Sequence, residues 1–252
     1  MIASVFPNIS IWQLALIAVA ATATSILGGV TGYGTGALMP LLLVPMVGAE
    51  PVVPIIAISA IITNVSRALA FRHTIDWRRV GIIVAAAIPT CILGSWAYTL
   101  LTGRGALLVI GSMLILMVGL RRVLAHRGLK CGDRGLIAGA VGWGVVVGGT
   151  TGSGVILLSL LMAAGLTGAA VIATDATVSV VIGAVRLAVF GMTGVATAKV
   201  IAIALVIGIS TFPGAFLARW MIARLPLHVH TAMLDAVVAL GGAAMITNAL
   251  RL

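Results

Sequence analysis

Charge is scarce in this sequence. Only 8% of its 252 residues are Asp, Glu, Lys or Arg, while 62% are hydrophobic and the mean hydropathy is +1.27. A water-soluble domain of this length needs far more polar cover, so a soluble globular fold is excluded. Cysteine is scarce too. Cys91 lies in an apolar run and Cys131 in a basic loop, which makes neither a disulfide framework nor a metal-ligand spacing. The four histidines, His73, His126, His228 and His230, are in or beside loops, so Ser153 has no histidine within a span to act as its base. That argues against an intramembrane serine hydrolase. Nothing flanking Asp175 and Asp235 supports an aspartyl-protease pair. No GxxxxGK phosphate loop occurs, and Gly32-x-Gly34-x-Gly36 lacks the strand–turn–helix setting of a dinucleotide fold. Neither an enzyme activity nor a cofactor nor a metal is expected. The first residues lack a basic stretch and a cleavage site, so Ile11 onward reads as a mature membrane segment.

Long apolar runs are what the sequence does have. They fall near 11–27, 35–47, 52–71, 80–101, 104–124, 135–148, 154–165, 170–190, 196–218 and 229–250. Several reach the ~20 residues that cross a bilayer, so a polytopic protein of a bacterial inner membrane is expected. The net charge of +10 comes from Lys and Arg spread over short loops. The positive-inside rule accounts for most of it, and nucleic acid is not an expected partner. Trp77, Trp96 and Trp220 stand at or near span ends, where indole rings anchor at the interface. Gly111, Gly119, Gly183, Gly208, Gly241 and Gly242 are expected to let helices pack closely in lipid.

One stretch occurs twice. Gly28-Gly29-Val30-Thr31-Gly32-Tyr33-Gly34 recurs as Gly148-Gly149-Thr150-Thr151-Gly152-Ser153-Gly154, 120 residues later. Arg67-Ala68-Leu69-Ala70-Phe71 likewise matches Arg186-Leu187-Ala188-Val189-Phe190 at an offset of 119, and Pro89 and Trp96 match Pro213 and Trp220 at 124. The chain reads as two internal repeats, 1–125 and 134–252, joined by a basic cytoplasmic linker over 126–133. The stretch 11–47 is too long for one crossing and short for two. A Gly-rich helical hairpin with its glycines at the tip suits that length, and each repeat then holds one hairpin plus three transmembrane helices. The fold expected is an all-α integral membrane protein with inverted repeats; the alternative is four spans per half in parallel. Charge does not separate the two, because both put 72–79 and 121–134 in the cytoplasm. The termini are periplasmic in the first and cytoplasmic in the second.

Gly-rich breaks in corresponding halves point to a transporter's substrate site. Short helices starting near Thr35 and Ser153 would aim free N–H groups and positive dipole ends inward, which makes an anion site. The candidate substrate-binding residues there are Gly32, Tyr33, Gly34 and Thr35 in the first copy, and Thr151, Gly152, Ser153 and Gly154 in the second. Arg67 and Arg186 are basic residues within spans, where a charge costs ~3 kcal/mol or more and usually faces a cavity or a partner. Each lies about five residues, or ~7 Å, from its span's end, so snorkelling is the competing reading. Asn64 offers a polar group beside Arg67. Asp175, Ser179 and Arg186 share a helix face. Asp175 either neutralises a neighbouring arginine, the favoured role, or carries a coupling proton.

The sequence resembles the sulfite exporter TauE/SafE family, also called the toluene-sulfonate uptake permeases. The resemblance rests on the duplicated glycine run, Pro40 after the first copy, Ile75-Asp76-Trp77-Arg78 opening the loop before the third segment, and Pro89 with Gly94. It covers essentially the whole chain. It departs at Leu160, which stands where the first copy has Pro40, so the two tips need not bind equivalently. The resemblance implies a secondary carrier of sulfonate, sulfite or sulfoacetate working by alternating access, with the membrane potential or an ion gradient as energy source. The partners it implies are a small anion, the lipid bilayer and a coupling proton or ion; self-association into an oligomer is left open. A passive anion channel is the alternative function.

Overall fold

The computed structural model describes residues 10–31, 34–126, 130–222 and 227–251, with side chains at 11 and in 27–34, 121–129 and 213–236 outside that description. Among the described residues the chain is helical and contains no strand. Its helices are α1 (Ile11–Thr31), α2 (Gly34–Val47), α3 (Val52–Ala70), α4 (Trp77–Thr99), α5 (Gly103–His126), α6 (Asp133–Gly149), α7 (Gly154–Ala163), α8 (Ala169–Met192), α9 (Ala198–Ile222) and α10 (Leu227–Arg251). A 3-10 turn, Arg72–Thr74, joins α3 to α4.

Local chemistry sets several starts. At α1, Ser10 and Gln13 form a reciprocal capping box: the Ser10 amide donates to Gln13 Oε1 at 2.8 Å and the Gln13 amide to Ser10 Oγ at 3.2 Å. Asp76 caps α4 by accepting from the Arg79 amide at 3.0 Å. Among the described residues four helices are long and apolar enough to cross a membrane: α3, α4, α8 and, over Gly103–Leu120, α5. Leu93 and Trp96 on α4, Leu116 on α5, Ile209 on α9 and Leu240 on α10 all point outward. Such large apolar side chains on outer faces suit hydrocarbon rather than water. Trp77 and Trp96 are exposed, as interfacial anchoring requires.

The helices pack across the two halves. α4 packs on α6 and α1 on α9, α3 packs on α8 and α5 on α10, and α3 also meets α9 as α4 meets α8. Glycine decides how close these pairs come. A methyl group at Gly144 would stand 2.6 Å from the Ala87 carbonyl, and one at Gly148 would stand 2.5 Å from the Cys91 carbonyl, so α4 and α6 touch backbone to backbone and run in the same direction. At the α5–α10 crossing, Gly111 faces the Gly242 carbonyl and Gly242 faces the Gly111 carbonyl. Neighbouring contacts, Gly111 to Met245 and Gly242 to Ile115, make this pair antiparallel. Gly183 against Ile61 and Gly208 against Ile62 likewise serve close packing, whereas Gly119 has nothing within 4 Å and serves none.

Two cores result. One gathers Ile17, Met39, Leu43, Ile55, Ile110 and Leu114. The other gathers Ile83, Leu136, Leu157 and Leu161. A polar clasp holds the end of the second core. Arg79 pairs with Asp76 and donates to the Ala164 carbonyl, Arg78 pairs with Asp133, and the Asp76 amide donates to Thr174 Oγ1 at 3.1 Å. The Ile75-Asp76-Trp77-Arg78 loop thereby ties α4 to α6, α7 and α8.

The Arg79 amide and, less strongly, its guanidinium hold the Asp76 carboxyl below the ordinary carboxylate range, against a push upward from partial burial. A carboxyl lowered in the folded state contributes stability above its unfolded pKa and loses it as pH falls through the folded one. Asp76→Ala is therefore expected to cost about 1 kcal/mol at neutral pH, most of it the cap, since so accessible an ion pair adds little. Melting temperatures in detergent check this: the gap between wild type and variant should close as pH falls below about 4.

Candidate functional site

The second glycine run closes a helical hairpin. α6 and α7 run antiparallel. The Cys131 amide donates to the Ala163 carbonyl at 2.8 Å at the open end, Gly139 lies against Leu160, and Trp143 Nε1 donates to the Ser153 carbonyl at 3.1 Å near the tip. Glycine is needed at the turn itself, because Gly152 has φ +79°, a left-handed conformation that other residues adopt at a cost of ~1–2 kcal/mol. Gly148 and Gly149 do not break the helix as the sequence suggested. They stay inside α6, as Gly28 and Gly29 stay inside α1, and Gly148 instead lets α4 approach. The short helices start at Gly34 and Gly154, each one residue from the expected position.

The two tips meet. A methyl group at Gly36 would stand 3.1 Å from the Gly152 amide nitrogen, and one at Gly152 would stand 3.6 Å from the Gly36 carbonyl. The first turn of α2 and the loop leading into α7 are therefore in backbone contact. First-turn amides of a helix have no acceptor within the helix, so two sets of donors, with two positive dipole ends, lie beside one another.

The carbonyls at the tip are held by side chains. Arg186 Nη2 donates to the Thr150 carbonyl at 3.0 Å, and Ser95 Oγ donates to the Gly148 carbonyl at 3.2 Å. A guanidinium at the carbonyl end of α6 is where the helix dipole favours positive charge. The Arg186 guanidinium carbon also lies 5.8 Å from the centroid of Phe190, one turn further along α8, and Tyr98 meets that ring edge-on. Two donors here remain unspent: Arg186 Nε and Thr151 Oγ1 are buried without a hydrogen-bond partner.

The sequence-derived site residues divide. Gly34, Thr35, Thr151, Gly152, Ser153, Gly154 and Arg186 come together around the tips. Gly32 and Tyr33 lie outside the described residues. Arg67 and Asn64, both partly buried near the end of α3, lie at the other end of the α3–α8 contact, where Arg67 is within electrostatic range of Asp175. Asp175 and Arg186 share a face of α8 as expected but are eleven residues apart, about 16 Å at the helical rise, so Asp175 does not neutralise Arg186. Asp175 makes no ion pair with Arg67 within 4.0 Å either. Snorkelling does not describe Arg186, which is 6% exposed and bonded inward. Asp235 and Trp220 fall among side chains outside the description.

Several contributors escaped sequence reading. Ser95, Trp143 and Tyr98 carry no motif, and only their fold neighbours give them a role. Phe190 had a signal in its spacing of four from Arg186. A pocket of about 350 Å³ opens between the end of α2 and the starts of α3 and α9, with Glu50, Lys199, Ile55 and Ile203 in its lining. Tyr98 Oη donates to the Glu50 carbonyl at 3.1 Å, which links the pocket rim to the ring packed beside Arg186. Among the described residues no group of His, Cys, Asp and Glu could hold a metal.

Replacing Arg186 by Met keeps the volume and removes every donor, which strands the Thr150 carbonyl in a buried place. The expected cost is about 2 kcal/mol, read as a lower melting temperature in detergent. An unchanged melting temperature would mean that the tip does not depend on the guanidinium.

No curated protein and no solved structure matches the chain. The sequence model of the sulfite exporter TauE/SafE matches residues 16–245, nearly the whole length. With the outward apolar helices, the match makes this a multi-pass membrane protein. The chain belongs to the sulfite exporter TauE/SafE family of membrane transporters.

Proposed function

We propose that this chain is a secondary carrier that moves a small sulfur-containing anion (a sulfonate, sulfite or sulfoacetate) across the bacterial inner membrane by alternating access. The observation that carries the proposal is the meeting of the two tips at Gly36 and Gly152, beside the unspent donors of Arg186 and Thr151. A sulfonate has three acceptor oxygens and one charge. Helix N-termini, a hydroxyl and one N–H of a guanidinium already committed to a carbonyl can hold it without a bidentate clamp. That suits a carrier, which must release what it binds.

The packing supports inverted repeats over 1–125 and 134–252, joined by the linker at 126–133. Exchange α1 through α5 for α6 through α10, and the pairs α4–α6 and α1–α9, and α3–α9 and α4–α8, exchange places, while α3–α8 and α5–α10 map onto themselves. Four parallel spans per half would make α3 run with α8 and α5 with α10. Both pairs run oppositely, since Gly183 lies against Ile61 while Arg67 lies near Asp175. On this reading the hairpin tips sit inside the membrane, and at the second tip Thr150, Thr151 and Ser153 are buried in protein as hydrocarbon requires. Rocking of the halves about the α3–α8 contact would open the tips to each side in turn. As a member of a transporter family, the protein acts as a carrier rather than an enzyme.

Thermal shift or calorimetry on the purified protein with sulfite, sulfoacetate, an aryl-sulfonate and sulfate tests this. One sulfur anion is expected to bind, and Gly152→Leu is expected to abolish binding with expression largely intact. Thr151→Val, which leaves the backbone alone, should weaken it about tenfold, the worth of one hydrogen bond to a charged group. Unchanged affinity in both variants would remove the tips from the site. Flux into vesicles should saturate with concentration; a linear dependence would identify a channel.

A further inference from the structure

Asp175 is used by nothing in the anion site, yet it is buried in the second half's central helix. It is 8% exposed, and its Oδ1 has no hydrogen-bond partner. A carboxylate in that condition is costly to keep charged, and nothing in the packing of α8 calls for an acid there. At the offset of 119 that matches Arg186 to Arg67, Asp175 corresponds to Ile56, so the first half has no acid at that place.

The groups around it are few. From α3 comes Arg67, whose charge reaches Asp175 without an ion pair. From the 3-10 turn come Arg72 and His73, both exposed, with Arg72 Nε donating to His73 Nε2 at 3.2 Å. From α4, Asp76 and Arg79 are committed to each other, Arg78 to Asp133, and Cys91 lies in the field of Arg186. α7 brings no charged residue. On α8 itself the other charge is Arg186, three turns away. The bond from the Asp76 amide to Thr174 Oγ1 fixes the position just before Asp175 and places that turn of α8 next to the α3–α4 loop. Asp175 is thus buried but only six residues into its helix, about 9 Å from the helix start.

We infer that Asp175 carries the proton that couples anion movement to a proton gradient, an inference that rests on the anion-carrier reading above. The step is the addition of one proton to the carboxylate, with no other bond made or broken. A neutral Asp175 leaves the Arg67 charge uncompensated, which raises the positive potential available to an anion between the halves. Loss of the proton restores the counter-charge and favours release. Linkage makes the effect reciprocal, so the bound anion also favours the protonated carboxyl. Proton and anion travel together, in the same direction.

The test uses the whole protein in vesicles with an alkaline interior and a labelled sulfonate. Wild type should concentrate the anion inside by up to about tenfold per pH unit for one proton per cycle. Asp175→Asn should still exchange labelled for unlabelled sulfonate but not concentrate it, and Asp175→Glu should concentrate it again. A pH dye inside wild-type vesicles should report acidification when substrate is added outside, and none with Asp175→Asn. His73→Gln should behave as wild type. Accumulation by Asp175→Asn at the wild-type level overturns the inference, as does loss of exchange in both Asp175 variants, which would assign Asp175 to the anion site or to packing. Wild type that exchanges sulfonate without concentrating it overturns the proton role alone and leaves the carrier reading standing. Wild type that exchanges no sulfonate overturns both.

Discussion

A helix that ends inside an apolar bundle must find partners for the amides and carbonyls that the break sets free. The second hairpin meets this demand largely with side chains. Arg186 holds the Thr150 carbonyl, Ser95 that of Gly148 and Trp143 that of Ser153. The rest of the molecule follows from it. Ser95 is on α4, so the first half completes the tip of the second. Gly94, Gly144 and Gly148 let α4 and α6 come close enough for that bond to form. A charge buried on α8 is tolerated because its hydrogen bond and the face of Phe190 replace water.

The same demand separates the two ends of the α3–α8 contact. At one end Arg186 has a carbonyl and an aromatic ring. At the other, Arg67 and Asp175 feel one another without closing an ion pair. One end holds its guanidinium on a carbonyl with a donor to spare, the other holds an unpaired acid, and the glycine tips lie in contact within the same bundle. Structural symmetry in the helix pairing coexists with chemical asymmetry in the side chains.

Outside the bundle, ordinary polar chemistry does the fastening. The Asp76, Arg78, Arg79 and Asp133 pairs lie where water is accessible, so each contributes modestly. What they add is direction. Arg79 cannot reach both Asp76 and the Ala164 carbonyl unless the end of α7 is docked beside the start of α4. The Ile75-Asp76-Trp77-Arg78 loop is thus a clasp between halves, a role its residues suggest only once Ala164 and Thr174 are beside it.

The family and the membrane character were legible in the sequence, because hydrocarbon imposes a composition and a run length that nothing else requires. The ten apolar runs correspond to the ten helices among the described residues, and the second copy of the glycine run pointed to the place where the second hairpin turns. The exact breaks were not legible. Gly28, Gly29, Gly148 and Gly149 read as breaks, yet they stay helical, because a glycine's use depends on what approaches it, and that is a neighbouring helix at Gly148 and a turn at Gly152. Helical spacing placed Asp175 and Arg186 on one face. Only tertiary structure gave each a different partner, because a face repeats along a helix while a partner occupies one height along it. Sequence alone determined what kind of solvent this chain folds in and where its glycine-rich stretch recurs. Tertiary structure decided which groups meet, because the contacts at the tips join residues far apart in the chain through backbone atoms that every residue shares.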